Sequence, residues 1–192
     1  SLGYNCRQGS CTVARSDYAA NSGSINSGEP GGGSVTSIQQ GKDWSFTTKQ
    51  NGLTHAKSRV RIGQVLDGTS KTLLAAEKYL NPQNYTNGAD ARDDQNIFAP
   101  HDRDMNGYVV DRVIRDIALP MRDRLGQGGN GFHWRFGSSH AEGVQGCLAD
   151  GSVRSFEYGI DEMVWLSFGG RNDGTAINES SIKADVMRGW SY

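Results

Sequence analysis

Long hydrophobic runs are missing from this sequence, and no segment approaches the roughly 18 consecutive apolar residues that a membrane span needs. A signal-peptide pattern is also missing, and the chain opens at Ser1 without an initiator methionine. We therefore expect a processed chain or a piece of a longer protein, from which the localisation signal has been removed.

Apolar residues are scarce for a globular domain. They make up 35% of the 192 residues, whereas glycine alone occupies 26 positions. The length suits one domain, or one domain with an elaborate periphery. We expect a modest core, with much of the chain in turns and long loops.

An excess of either charge is absent, because 20 Lys and Arg residues stand against 21 Asp and Glu residues. No basic stripe is available to neutralise a phosphate backbone. The composition therefore predicts that nucleic acid is not a partner.

Only three cysteines are present: Cys6, Cys11 and Cys147. Cys6 and Cys11 lie in the loop-like stretch NCRQGSCT, where a short disulfide loop is sterically possible. Cys147 lies in an alternating segment, where we expect a buried free thiol that packs as a small hydrophobe. The spacing does not fit a zinc or redox CxxC site, since there is no second pair.

Catalytic motifs are lacking too. The sequence contains no nucleophile elbow and no H-E-x-x-H zinc helix, and its four histidines are scattered. In GSSH, serines precede His140, but adjacency in sequence is not triad geometry. Aspartates are plentiful, yet none stands out as a pair for glycoside hydrolysis. We predict that the protein is not an enzyme.

Residues 1–58 are rich in Ser, Gly, Asn and Gln, and we interpret them as a segment that wraps around a core built elsewhere. Within it, RSDYAAN predicts a short strand, while residues 22–34 fit a wrap and a flexible linker equally well. The core is expected in residues 59–192. Both parts are expected to form one structural unit.

The core begins with Val60 and Ile62, which alternate with arginines before a turn at Asp67-Gly68. The following run to Tyr79 fits either a strand or a helix. Glu77 falls in this apolar run, and we expect Arg59 or Arg61 as its buried partner.

Residues 84–104 are polar and acidic, and we expect a long surface loop there. Residues 108–119 predict an edge element that Pro120 ends.

The segment GVQGCLADGSVRSFEY is the clearest element, because its alternation is interrupted only by Asp150-Gly151. This pattern predicts a β-hairpin with a type I′ turn. A short helix is expected next, capped by Asp161, with Ile160 packing on Trp165 and a glycine pair at its end. The resulting class is α+β, with an antiparallel sheet, long loops and short helices.

The calcium-binding pattern D-x-D-x-N-G appears in part in HDRDMNGYVVD. Asp102, Asp104 and Asn106 would supply side-chain oxygens, and Tyr108 would supply its carbonyl. The twelfth position holds Val113 where a bidentate glutamate belongs. We keep Ca²⁺ as a candidate cofactor beside the alternative of a solvated acidic loop.

His140, nine intervening residues and then Asp150-Gly151 form an H-x9-DG signature. It resembles the signature of a large bacterial family, abundant in planctomycetes, whose members carry a prepilin-type cleavage and methylation helix before a domain of unknown function with a solute-binding-protein-like label. The stretches RSDYAAN, VRIGQVLDGTSKTLLAAEKYLNPQNY and DDQN resemble the same family in the same order.

This resemblance implies a pilin-like or pseudopilin-like head at the cell surface, with copies of itself or filament subunits as partners. Membrane contact is expected only through an N-terminal helix that this sequence does not include. Within the signature, we interpret Asp150 as the turn residue and expect His140 to hydrogen-bond neighbouring backbone. An extended strand would hold the two roughly 30 Å apart at about 3.3 Å per residue.

Two functions follow from the sequence. The first is a structural subunit of a pilin-like surface assembly, with Trp190 as the best candidate for a contact between subunits. The second is a module that binds a glycan or a small solute, with structural calcium and a concave site lined by Trp or Tyr together with Asp and Asn.

Overall fold

A computed structural model describes residues 13–25, 50–98, 101–111, 116–126, 132 and 134–173. The predicted disulfide between Cys6 and Cys11 lies outside these residues, as do Trp190 and Val113. Within the described part of the chain, no helix is long and apolar enough to cross a membrane.

A five-stranded sheet is the centre of the fold. Its strands are β1 (Tyr18–Asn21), β2 (Leu73–Glu77), β3 (Asn106–Gly107), β8 (Gly143–Leu148) and β9 (Val153–Glu157), in the spatial order β3-β1-β2-β8-β9. Every neighbouring pair is antiparallel except β1 and β3, which are parallel. The α+β class is therefore confirmed, although the sheet is mixed at one edge.

Four short strands lie outside this sheet. The strand β4 (Val110–Asp111) pairs antiparallel with β5 (Asp116–Ile117), and β6 (Met121–Arg122) pairs parallel with β7 (Gly137–Ser138). The edge element predicted for residues 108–119 is thus two short strands. Their buried residues Val110 and Ile117 lie opposite each other and face the core.

The hairpin of β8 and β9 confirms the prediction from the alternating pattern, but the predicted type I′ turn is wrong. A type I′ turn needs two residues with positive φ, and in this turn only Gly151 has one, at 85°. The amide of Gly151 donates to the Leu148 carbonyl, and the amide of Leu148 donates to the Ser152 carbonyl. This is the three-residue connection that ends in a bulge, in which the glycine alone takes the left-handed conformation.

One helix, α1 (Glu162–Gly169), covers the core side of the sheet. Asp161 caps it as predicted, because its carboxylate accepts from the amides of Met163 and Val164. The Trp165 ring is fully buried and meets the rings of Phe136 and Phe156 edge to face, at 5.9 and 5.5 Å between centroids. Edge-to-face contacts between aromatic rings contribute more to the stability of the fold than their buried area alone accounts for.

The expectation that the core begins with Val60 and Ile62 is wrong, because Val60 is only partly buried and Ile62 lies at the surface. Residues Ile62–Gln64 form a 3-10 turn, and Ile62 is 68% exposed. The strand in this region is β2, which begins after the turn at Gly68, where φ is 100°. The choice between strand and helix for this run is thereby decided by pairing with β1 and β8.

The strand predicted within RSDYAAN is confirmed as β1, which lies inside the sheet between β2 and β3. Its alternation places Ala19 and Asn21 on the core side. The division at residue 58 stays a prediction.

Candidate functional site

An acidic cleft of about 320 Å³ opens where β2 ends and β7 begins. It is lined by Asp17, Glu77, Lys78, Leu80, Tyr85, Asp123, Gly137, Ser138 and Ser139. Three acidic residues, beside Lys78, therefore line a volume at the lower limit of small-molecule sites.

Asp123 and Tyr85 form the polar end of this cleft. The Tyr85 hydroxyl donates to Asp123 Oδ2 at 2.6 Å, and the amide of Leu80 donates to Oδ1 at 3.0 Å. Burial raises the pKa of Asp123, and these two hydrogen bonds oppose the rise. Burial and the neighbouring Asp123 carboxylate both raise the pKa of Tyr85, so its hydroxyl remains a donor.

Glu77 joins the cleft to the H-x9-DG signature. Its Oε1 lies 3.3 Å from Nε2 of His140, and its Oε2 accepts from the amide of Gln145 at 2.7 Å. The prediction of Arg59 or Arg61 as the partner of Glu77 is therefore wrong. Glu77 contacts His140 and Gln145 because it ends β2 beside the start of β8. The His140 side chain is 61% exposed, and it contacts the cleft residue Glu77 without itself lining the cleft.

The two ends of the signature have different surroundings. The backbone of His140 accepts from the Tyr158 hydroxyl at 2.7 Å, whereas Asp150 lies beyond the other end of β8. Asp150 Oδ1 accepts from the amide and the hydroxyl of Ser152, and its own amide donates to the Thr69 carbonyl. These contacts stabilise the turn, and they bring no ligand group to the cleft.

A buried network of charges lies behind the cleft, around Lys78. The ammonium of Lys78 donates to the Arg92 carbonyl at 2.6 Å, to Asp93 Oδ1 at 2.9 Å and to the Asp104 carbonyl at 3.1 Å. Arg15 binds the other oxygen of Asp93. Burial lowers the pKa of Lys78 and raises that of Asp93, and the pairing of the two opposes both shifts.

The expectation of a surface loop for residues 84–104 is wrong for four of its charged residues. Asp90, Arg92, Asp93 and Asp104 are all buried. The guanidinium of Arg92 donates to the carbonyls of Arg135 and Asn106, and burial lowers its pKa to about 10. The acidic segment is therefore anchored from inside, by buried cations that hydrogen-bond to main chain and carboxylates.

The predicted calcium ligands Asp102 and Asp104 point to main-chain and side-chain donors. Asp102 Oδ1 accepts from the amide of Asp104 at 3.2 Å, and its Oδ2 accepts from Gln95 Nε2 at 3.3 Å. Asp104 Oδ2 accepts from the Gln95 amide at 2.6 Å, while its Oδ1 is buried and has no hydrogen-bond partner in the described part of the chain. Burial raises the pKa of Asp104 to about 7, and Asp94 and Asp102 add to the rise.

The other two predicted ligands belong to the sheet and the core. Asn106 is a residue of β3, and its Nδ2 donates to Ser22 Oγ at 3.0 Å and Thr54 Oγ1 at 3.1 Å. Tyr108 is fully buried, with its ring edge to face with Trp134. Across the described ranges, no three His, Cys, Asp or Glu residues are grouped to hold a metal ion. Calcium stays a prediction.

On the other side of the main sheet, as far as the described residues show, the side chains of β1, β2, β8 and β9 are exposed or only partly buried, and we call this side the open face. Alternation across four strands aligns Ala20, Ala75, Cys147 and Val153 in one row, which we call the open face row. Val153 is 67% exposed, and Cys147 is a partly buried free thiol. The expected burial of Cys147 in the core is therefore wrong, because its strand directs Leu148 to the core and Cys147 away from it.

A family model described as "Protein of unknown function (DUF1559)", SBP_bac_10, matches residues 8–163. The chain belongs to this DUF1559 family. The searches of curated proteins and of solved structures found no match. The DUF1559 match covers β1 to β9, the acidic cleft and the open face row, and it ends within α1.

Sequence reasoning missed the cleft as a site. Asp17, Tyr85 and Asp123 are far apart in the chain, and none belongs to a catalytic or metal-binding motif, although Asp17 and Tyr85 lie in stretches that carry the family resemblance. Only the sheet order brings them together, so no local pattern could have revealed them.

Proposed function

We propose that this DUF1559 chain is the extracytoplasmic head of a pilin-like structural subunit, and that its open face contacts a neighbouring subunit. The observation that carries this proposal is the open face row. Small side chains at Ala20, Ala75 and Cys147 let another backbone approach closely, and the exposed Val153 adds apolar surface at the rim.

The asymmetry of the sheet supports the same proposal. One face is closed by α1 and a cluster of aromatic rings, while exposed apolar residues remain on the other, among them Tyr18, Leu74 and Val153. An antiparallel sheet with one solvated face normally carries polar side chains there. Apolar residues on that face are typical of a surface that another element covers.

The experiment compares two matched substitutions in the full-length polypeptide produced in cells. Val153→Lys places a charge on the open face, and Leu66→Lys makes the same kind of change at another exposed apolar residue that lies outside the sheet. Negative-stain images of sheared surface material should show filaments or arrays for the wild type and for Leu66→Lys. Val153→Lys should remove or shorten them. Strictly monomeric wild-type protein at high concentration would contradict the proposal.

A second candidate function is recognition of a small cationic solute or a glycan, and the acidic cleft favours it. Asp17, Glu77 and Asp123 supply negative charge, and Tyr85 supplies a hydroxyl and a ring. Calorimetric titration with polyamines and a glycan panel, with and without a chelator, tests it. Asp17→Asn should weaken any binding, whereas Glu142→Gln, at an exposed position that does not line the cleft, should not. The absence of heat with every solute would remove this candidate.

A further inference from the structure

The Lys78–Asp93 pair is the most deeply buried ion pair among the described residues. The two side chains are 1% and 5% exposed, and Nζ lies 2.9 Å from Asp93 Oδ1. A buried ion pair loses much of its attraction to the cost of removing both charges from water, so burial by itself is a weak reason for it to be stable. An amine and a carboxyl group held in contact and largely shielded from solvent are also the reactants of amide formation.

We propose that Lys78 and Asp93 become joined by an amide bond between Nζ and Cγ after the chain folds. The bond would tie the end of β2 to the acidic segment, fifteen residues further along the chain. The inference does not depend on the proposed function.

Three neighbours hold the reactants in place. The carbonyls of Arg92 and Asp104 accept from Nζ, which fixes the position of the nitrogen beside the carboxylate. Arg15 donates to Asp93 Oδ2, which fixes the carboxylate and withdraws electron density from Cγ. Fixed reactants raise the effective concentration by several orders of magnitude over free amine and acid.

The reaction balances without any further reactant. One Nζ proton moves along the existing hydrogen bond to Asp93 Oδ1, which leaves a neutral amine and a neutral carboxyl group. Burial favours this neutral pair, since it lowers the pKa of Lys78 and raises that of Asp93.

The nitrogen lone pair then attacks Cγ, and Arg15 stabilises the negative charge that develops on Oδ2. A second Nζ proton passes to Oδ1, and the bond between Cγ and Oδ1 breaks. Oδ1 leaves as water, Oδ2 remains as the amide oxygen, and the single N–H that is left can still donate to the Arg92 carbonyl. An ammonium and a carboxylate have become one amide and one water, with no change in charge.

Intact-mass measurement of the folded, reduced full chain tests the proposal directly. We expect a mass about 18 Da below that of the sequence, the mass of one water. Trypsin would not cleave after a linked Lys78, so the digest should contain residues 72–92 joined to residues 93–103. A wild-type mass equal to that of the sequence overturns the inference.

Substitutions at Lys78 and Asp93 identify the residues that are responsible for the loss of mass. Asp93→Asn retains the geometry but releases ammonia in place of water, so its mass should fall by about 17 Da. Lys78→Arg has no amine to acylate and should show the full sequence mass, whereas Lys71→Arg, a matched change at an exposed lysine, should retain the loss. A loss of about 18 Da that persists in Lys78→Arg would place the modification elsewhere and overturn the inference. If Lys78→Arg does not fold, the wild type and Asp93→Asn decide the question between them.

Discussion

Replacing Asp104 by asparagine should change how the stability of the protein depends on pH. Asp104 is 1% exposed, and among the described residues only its Oδ2 has a hydrogen-bond partner, the amide of Gln95. Burial, aided by the neighbouring carboxylates of Asp94 and Asp102 and opposed by Gln95 and Lys78, raises its pKa to about 7.

The sign follows from proton binding. Because the pKa of Asp104 is about 7 in the folded protein and near 3.8 in the unfolded chain, the folded state holds this proton more tightly. The stabilisation is therefore complete below about pH 4 and is lost as the pH rises through about 7. A rise of about 3 pKa units corresponds to about 4 kcal/mol of unfolding free energy at 1.36 kcal/mol per unit. Asparagine carries no charge at any pH. The Asp104→Asn variant therefore does not lose stability in this way as the pH rises.

The assay is urea denaturation followed by tryptophan fluorescence from pH 4 to pH 8, in the presence of a chelator. The stability of Asp104→Asn relative to the wild type should rise by up to about 4 kcal/mol across this range. The amide leaves one buried donor without a partner, but that cost is constant with pH. Glu142→Gln makes the same chemical change at an exposed position and should follow the wild-type profile. Parallel profiles for Asp104→Asn and the wild type would refute the reasoning.

Three further changes have definite expected outcomes. Trp165→Ala should lower the unfolding free energy by about 3–5 kcal/mol, because it removes a fully buried ring and the bond from Nε1 to the Ala118 carbonyl; urea denaturation measures it. Gly146→Val should cost about 1–3 kcal/mol, since a Cβ there would lie 2.8 Å from the Phe156 ring, whereas Gly63→Ala has open space and should cost little. If the predicted calcium site exists, adding Ca²⁺ to chelated protein should raise its melting temperature; an unchanged temperature at millimolar Ca²⁺ would remove that prediction.

Local patterns in the sequence carried the prediction of β8, β9 and α1. Alternation around Asp150-Gly151 determines a hairpin, because only one register buries Val144, Leu148 and Phe156 together. Asp161 predicts the start of the helix, since a carboxylate at that position satisfies free amides. The type of turn was not predictable, because Asp-Gly fits a two-residue and a three-residue connection.

The candidate site was not predictable from the sequence. The acidic segment has the composition of a solvated loop, and only the structure shows that Lys78 and Arg92 hold it inside the fold. The calcium half-motif has the right residue types, yet Asn106 became part of a strand and directs its amide to Ser22 and Thr54. Hydrogen bonding between distant segments therefore decided what these side chains contact.

The sequence by itself determined the elements with short-range causes: the hairpin, the capped helix, the strand β1 and the modest core. Only the tertiary structure decided which charges are buried, where the cleft opens and which sheet face stays open. Strand order sets these features, and strand order depends on contacts between residues far apart in the chain, such as Tyr18 with Glu77 and Ala75 with Cys147. A local pattern fixes which way a side chain points within its strand, but it does not fix which strand lies beside it.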